Sequence, residues 1–188
     1  ESAAPWVDHV LIHDTGSTDL TISKAKAACM GLDVDHTVRE SVEFVNFGHN
    51  RAALMTDAYA LGDFQLLMDA DEELIDLPPA RPELFANGIL HYEGAYDYGQ
   101  PRLVRSTQDW YWQDELHSYL TTDDHYTLYE HLQHPLIRHH GEARGATKER
   151  VERDVVRLCA QAKAGTADSR TLFNLAKALE GLGEYEHA

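Results

Sequence analysis

Residues 66–73 read LLMDADEE, a short apolar run that ends in two carboxylates spaced i and i+2. If the run is a strand, residues i and i+2 share a face, so Asp69 and Asp71 can converge on one divalent cation. Hard oxygen ligands of this kind suit Mg²⁺ or Mn²⁺. Acidic residues after a hydrophobic run are also common in turns, so this pattern alone leaves both interpretations open.

A second apolar segment ends in the same way, because residues 9–19 read HVLIHDTGSTD. The pattern predicts a strand over residues 9–14 that ends at Asp14, then a turn that contains glycine. A helix over about 18–30 follows, capped by Ser17, Thr18 or Asp19. The alternative interpretation of Asp14 is an ordinary strand-to-helix turn without a ligand.

The intervening sequence continues the alternation of strands and helices. Hydrophobic spacing predicts strands over 33–38 and 64–68 and a helix over 51–61. Later strands are expected over 89–92, 102–105 and 136–138, and Arg102 and Arg105 are expected to share one strand face. Such an open α/β sheet binds ligands at the carboxyl ends of its strands.

Composition limits the classes of function. The 188 residues carry 32 acidic and 16 basic side chains, a formal net charge of −16, which argues against a nucleic-acid-binding protein. No run approaches the roughly 18 apolar residues of a membrane-spanning helix. Two distant cysteines, Cys29 and Cys159, favour free thiols in a reducing cytoplasm over a disulfide framework or a zinc site. We therefore expect a cytoplasmic protein.

Three motifs in order carry a resemblance to a known family: DTGSTD at 14–19, NFGHNR at 46–51 and DADE at 69–72. Together they resemble the signature of family 2 glycosyltransferases of the GT-A fold, in the subgroup with C-terminal tetratricopeptide repeats. The resemblance covers roughly residues 7–188. It implies a Rossmann-like mixed sheet flanked by helices, and transfer of a sugar from a nucleotide-sugar donor, expected to be a UDP-sugar, with inversion.

The resemblance also implies roles for individual residues. Asp14, in the segment with Thr15, Gly16 and Ser17, would bind the nucleotide and accept a hydrogen bond from the uracil ring. Arg51 would lie near the diphosphate. Asp69 would face the ribose or the sugar and share the metal site with Asp71, which would hold Mn²⁺ or Mg²⁺. The structural alternatives are a helix-capping Asp14, a surface Arg51 and a turn-forming Asp71.

Residues 110–120, WYWQDELHSYL, resemble the family's Trp-x-Gly-x-x-His-Glu segment. An inverting transfer needs a group that removes the proton of the acceptor hydroxyl, and Ser118 stands where the family has the glutamate suited to this. Glu115, Asp114 or His117 could substitute, and the sequence does not choose between them. Trp110 and Trp112 fit either stacking on a sugar or packing in the core.

His139 matches a further histidine of the family and would complete the metal or diphosphate site. Imidazole suits Mn²⁺ better than Mg²⁺, which favours manganese. The alternative interpretation is a solvated histidine in a loop.

The chain is expected to divide into a GT-A-like domain, residues 1–145, and a helical tail, residues 146–188. The spacing of apolar residues predicts a helix from Lys148 onward. In the tail, large and small residues fall where a tetratricopeptide repeat places them, with a first helix over about 168–182: Leu172, Leu175, Ala176, Leu179, Gly183, Tyr185 and Ala188. Alternatively, the tail is a generic amphipathic helix pair. If it is a repeat, it would recruit a protein partner or orient the acceptor, whether protein, glycan, lipid-linked or small molecule.

Two features favour a different class of function, a non-catalytic GT-A-derived scaffold or protein-binding module. One is Ser118. The other is the family's opening strand, which has no counterpart before residue 9, so that we expect a fragment or an incomplete nucleotide site.

Overall fold

The structure is a computed structural model that describes residues 1–77, 86–114, 116, 118–125, 127–140 and 147–183. Within these ranges it is a mixed α/β fold, as the sequence predicts at this level. The strands are β1 His9–His13, β2 Asp35–Arg39, β3 Phe64–Leu66, β4 Glu72–Ile75, β5 Asn87–Tyr92, β6 Ala95–Arg105, β7 Tyr111–Gln113, β8 Tyr119–Thr121 and β9 Tyr129–His139. The helices are α1 Thr21–Gly31, α2 Phe47–Ala58, α3 Lys148–Ala164 and α4 Ser169–Leu182.

The amino-terminal unit is a parallel strand pair connected by a helix. β1 and β2 pair in parallel from His9 opposite Asp35 to His13 opposite Arg39, and α1 makes the crossover between them. The cap of α1 differs from the prediction, because its N-cap is Leu20, which makes no capping hydrogen bond with its side chain. Asp19 nevertheless accepts a hydrogen bond from Thr21 N at 2.9 Å, so it satisfies one of the free amides of the first turn.

A five-stranded mixed sheet forms the centre, with strand order β3-β6-β5-β9-β4. β5 and β9 are parallel, and the other neighbouring pairs are antiparallel. Its buried apolar cluster comes from four strands: Leu74, Leu90, Leu103 and Ile137. A smaller antiparallel pair, β7–β8, lies apart from this sheet.

The expectation of one open sheet is wrong in one respect that matters for the site. β1 bonds to β2, whereas β3 bonds to β6, so the two strands that precede Asp14 and Asp69 belong to different sheets. Their carboxyl ends therefore do not share a sheet edge. Strand alternation predicts the strands but not which partners they choose, since pairing depends on distant segments.

Helix α2 begins four residues before the predicted helix start. The Asn46 side chain accepts a hydrogen bond from His49 N at 2.8 Å, a capping contact that starts the helix at Phe47. Arg51 thus lies inside the helix instead of at its beginning. Gly48 allows α2 to pack closely, because a Cβ there would lie 2.6 Å from the carbonyl oxygen of Asp114.

The tail forms two packed helices. Thr147 and Asp168 cap their amino ends through side-chain oxygens, and Gly165 and Gly183 end them with φ of 70° and 80°. Leu158 and Leu179 are buried in the tail. The Arg170 guanidinium lies 4.5 Å above the Tyr119 ring, so α4 contacts the first residue of β8. Tyr185 and Ala188 lie outside the described residues, and no helix in the described ranges is long and apolar enough to cross a bilayer.

Candidate functional site

The turn between β3 and β4 holds the two carboxylates of the DADE motif. β3 ends at Leu66, so Asp69 and Asp71 lie beyond it, and the expectation that a shared strand face directs them is wrong. The turn is closed by Glu72, whose Oε2 accepts from Asp69 N at 2.8 Å while its own amide donates to Asp69 O at 3.1 Å. These local hydrogen bonds hold the backbone of the turn and the Glu72 carboxylate in place.

Asp69 faces two guanidinium groups. Nη2 of Arg51 donates to Asp69 Oδ1 at 2.5 Å, and Nη2 of Arg102 lies 4.0 Å from Oδ2. The Asp69 charge is therefore already balanced by protein cations. This environment suits an acceptor of hydroxyl hydrogen bonds more than a metal ligand, because Arg51 occupies Oδ1 and the positive charges of both guanidinium groups repel a cation.

A buried ion pair supports the turn from behind. The Arg102 and Glu72 side chains are only 6% and 1% exposed, and Nη2 of Arg102 donates to Glu72 Oε1 at 2.6 Å and to the Tyr92 hydroxyl at 2.5 Å. Burial alone would lower the pKa of Arg102, but Glu72 and Tyr92 outweigh it and hold that pKa above its ordinary value. Burial raises the pKa of Tyr92, while Arg102 opposes the rise. Arg102 thus stays charged, and its hydrogen bonds hold the turn.

Asp71 points to the other predicted ligand, His139. β4 pairs with β9 so that Glu72 lies opposite His139, which brings the end of β9 beside the turn. Nε2 of His139 lies 3.5 Å from Asp71 Oδ2, and His140 N donates to Asp71 O at 2.8 Å. Both side chains are partly exposed. The structure thus brings together a carboxylate and an imidazole from residues far apart in sequence.

Arg51 is held on its other side by residues that the sequence analysis assigned no role there. Nη1 of Arg51 donates to Ser118 Oγ at 3.1 Å, and the guanidinium lies 4.8 Å from the centre of the Trp112 ring. Trp112 in turn donates from Nε1 to Met55 Sδ at 3.0 Å. Ser118, which cannot replace a catalytic glutamate, instead positions this guanidinium.

These groups surround one cleft of about 410 Å³, a size within the range of small-molecule sites. Its lining combines cationic, acidic and aromatic side chains: Arg51, Asp69, Glu72, Tyr92, Gln100, Arg102, Trp112, Ser118 and His139. Four residues that line the cleft were not expected there from sequence: Glu72, Tyr92, Gln100 and Ser118. The sequence signal that could have indicated this buried arrangement is a charged residue inside an apolar strand, Arg102 before Leu103 and Val104.

The Asp14 segment does not line this cleft. Asp14 is 6% exposed, and its Oδ2 accepts from the amides of Gly16 and Ser17, each at 2.9 Å. Hydrogen bonds from Ser17 and Gly16 lower the pKa of Asp14. Gly16 has φ of 104°, which residues with a side chain rarely adopt, so the tight turn through Thr15 depends on this glycine.

One of the three candidate bases, Asp114, is described, whereas Glu115 and His117 lie outside the described residues. Asp114 adopts φ of 69°, and its Oδ2 is buried without a hydrogen-bond partner among the described residues. Burial raises the pKa of Asp114, Asp168 adds to the rise, and Arg170 opposes it. Asp114 does not line the cleft, although Ser118, four residues later, does.

A metal ion would find two protein ligands here. Within the described part of the chain, no three His, Cys, Asp or Glu side chains are grouped so as to hold a metal ion. The pair Asp71 and His139 still fits Mn²⁺ or Mg²⁺, since such ions commonly take few protein ligands and complete their shell with water and substrate phosphates. The chain matches no protein-family model and no curated protein sequence.

Proposed function

We propose that this chain is a metal-dependent, GT-A-like glycosyltransferase that moves a sugar from a UDP-sugar donor to an acceptor with inversion. One observation carries the proposal: His139, whose imidazole contacts the Asp71 carboxylate, lines a cleft together with Arg51 and Arg102. Cations and metal ligands around one cleft suit a diphosphate.

The donor diphosphate would bind beside Arg51. Guanidinium groups match phosphate oxygens through paired hydrogen bonds, and Asp69, Ser118 and Trp112 hold Arg51 in place before the ligand arrives. Asp69 would then accept hydrogen bonds from ribose or sugar hydroxyls. Asp14 as the reader of the uracil ring stays a prediction, and one of its two carboxylate oxygens is engaged in its own turn.

Asp71 and His139 would hold the metal ion. Bound there, the ion would stabilise the negative charge on the departing diphosphate as a Lewis acid. From sequence, Asp69 was expected to be a metal ligand as well. Its contact with Arg51 favours the hydroxyl-binding role, and a nitrogen ligand from His139 favours Mn²⁺ over Mg²⁺.

The acceptor hydroxyl must lose its proton as it attacks the sugar. A general base works best when its pKa lies near the working pH, and burial shifts the pKa of Asp114 upward, in that direction. Glu115 and His117 stay predictions for the same role. The contact of Arg170 with Tyr119 supports a tail that orients the acceptor near this segment.

A GT-A-like fold and a tail that resembles a tetratricopeptide repeat are part of the same proposal. The β1–α1–β2 unit and the mixed sheet are compatible with a GT-A-like domain, and the capped pair α3–α4 is compatible with the start of a tetratricopeptide repeat. Under this proposal the tail binds a protein partner or the acceptor.

A non-catalytic scaffold is the second candidate, because the cleft satisfies its own charges. Arg51 already bonds to both Asp69 and Ser118, and Arg102 to Glu72 and Tyr92. A site whose cations already have partners within the protein can persist for stability alone.

Release of UDP separates the two candidates. Purified chain is incubated with Mn²⁺ and a panel of UDP-sugars, and free UDP is measured with and without a mixture of acceptor sugars. The glycosyltransferase proposal predicts release with at least one donor, lost on chelation of the metal and in Asp71→Asn. No release from any donor by folded protein, together with no binding of UDP, would favour the scaffold.

A further inference from the structure

Two histidines that do not line the cleft lie side by side on the five-stranded sheet. In the parallel pair β5–β9, Ile89 lies opposite His131, and His91 follows two residues later on β5. Nδ1 of His131 lies 3.2 Å from Nε2 of His91, with the rings tilted by 33°. Two ring nitrogens from adjacent strands therefore face each other.

Their separation is that of two ligands on one ion. Zinc–imidazole bonds of about 2.0–2.1 Å at a tetrahedral angle place the two nitrogens roughly 3.3–3.4 Å apart. The observed 3.2 Å differs from this by only a small movement of two side chains. A hydrogen bond between the rings has a similar separation of the two nitrogens, whereas metal binding also requires the rings to turn so that both lone pairs point at the ion.

The local backbone makes room for this arrangement. Gly99 on β6 lies opposite His91, and a Cβ at that position would lie 2.5 Å from Cγ2 of Ile89 and 3.1 Å from Cε1 and Nδ1 of the His91 ring. The strand register also shifts on both sides of His91. Irregularities of this kind redirect a side chain, so the position of the His91 ring depends on them.

We propose that His91 and His131 form a binding site for a borderline divalent metal ion of the zinc class. Imidazole nitrogens select such ions over Mg²⁺ and Ca²⁺, which prefer oxygen. His131 is exposed, so water can fill the remaining positions, and the net charge of −16 raises the local concentration of cations. The site differs in ligand type from Asp71 and His139, which pair oxygen with nitrogen.

Zinc titration of the full chain in the Asp71→Asn background tests the site, since that substitution removes the donor-side metal. A competing chromophoric chelator reports the affinity and stoichiometry. We expect one zinc ion per chain, and a loss of affinity of at least about tenfold in His131→Gln and in His91→Gln, because each removes a direct ligand.

His36→Gln is the matched control, because His36 is a partly buried histidine on strand β2, which does not belong to the five-stranded sheet. It should bind zinc like the parent. Melting curves confirm that each variant is folded, and the exposed His131→Gln keeps the test valid if His91→Gln fails to fold.

Equal zinc affinity in parent, His131→Gln and His91→Gln would overturn the proposal, as would a parent that binds no zinc. Either outcome would leave the two rings as a hydrogen-bonded pair. Neither would affect the proposed transferase, whose test uses UDP and manganese at Asp71.

Discussion

The turns at Asp14 and at Asp69 look alike in sequence, since each follows an apolar strand, yet they have different surroundings. The Asp14 carboxylate is bound by amides two and three residues away, all within its own turn. The Asp69 carboxylate meets Arg51 and Arg102, which come from distant segments. Whether an acidic side chain at such a turn can bind a ligand is therefore decided by its long-range partners and not by the local sequence motif.

The largest effect should come from breaking the long-range support of the second turn. Arg102→Met leaves Glu72 charged and buried without its partner, and removing one member of a buried pair costs about 3–5 kcal/mol in the free energy of unfolding. Urea denaturation measures it. Arg138→Met is the control, because Arg138 pairs with Glu93 at the surface and should change stability little. Equal losses in both variants would contradict the role of the buried pair.

A smaller effect is expected where α2, which carries Arg51, packs against the segment leading to Ser118. In Gly48→Ala the new Cβ would lie 2.6 Å from Asp114 O, a backbone atom, and such overpacking costs about 1–3 kcal/mol. Gly31→Ala adds a methyl in a helix with no atom within 4 Å, so its stability should be unchanged or slightly higher. Thermal unfolding of the two variants distinguishes them, and equal stability would show that the close approach is unimportant.

The smallest change in stability is expected at the turn that contains Asp14, and it depends on pH. The pKa of folded Asp14 is lowered from its ordinary value of 3.8, so its ionised form contributes stability above that value and loses it as pH falls through the lowered pKa. Asp14→Asn removes this contribution. The stability difference between wild type and variant should be constant above about pH 5 and shrink below about pH 4. A difference that does not change with pH in urea denaturation would contradict the assignment.

Much of the local structure could be predicted from sequence, because it depends on neighbouring residues. The strand before Asp14 and the helices of the tail follow from apolar spacing and caps such as Asp168, whose side chain accepts from Thr171 N at 2.7 Å. The partners of these elements could not be predicted. Pairing of β3 with β6 instead of β1 depends on segments about 40 residues apart, for which spacing within one segment gives no information.

The site shows the same division. Asp69, Asp71, Arg51 and His139 were expected near one another. In the structure Asp69, Arg51 and His139 line one cleft, and Asp71 contacts His139. The support by Glu72 was missed, because it requires Arg102, 30 residues away. Arg102 and Arg105 were expected on one strand face, but Arg105 lies over the Phe64 ring while Arg102 enters the cleft. An odd spacing along a strand places side chains on opposite faces, which explains the error.

Binding of UDP with Mn²⁺ tests the central claim most directly, that the cleft turn holds the donor and its metal. Wild type, Asp71→Asn and Glu73→Gln are melted with UDP, with Mn²⁺ and with both; Glu73 is the neighbouring acid, paired with Arg138 and His140. Ligand at 100 times its Kd stabilises the folded state by about 2.7 kcal/mol. We predict a joint shift in melting temperature for wild type and Glu73→Gln, lost in Asp71→Asn. An equal shift in all three proteins, or none in any, would contradict the claim.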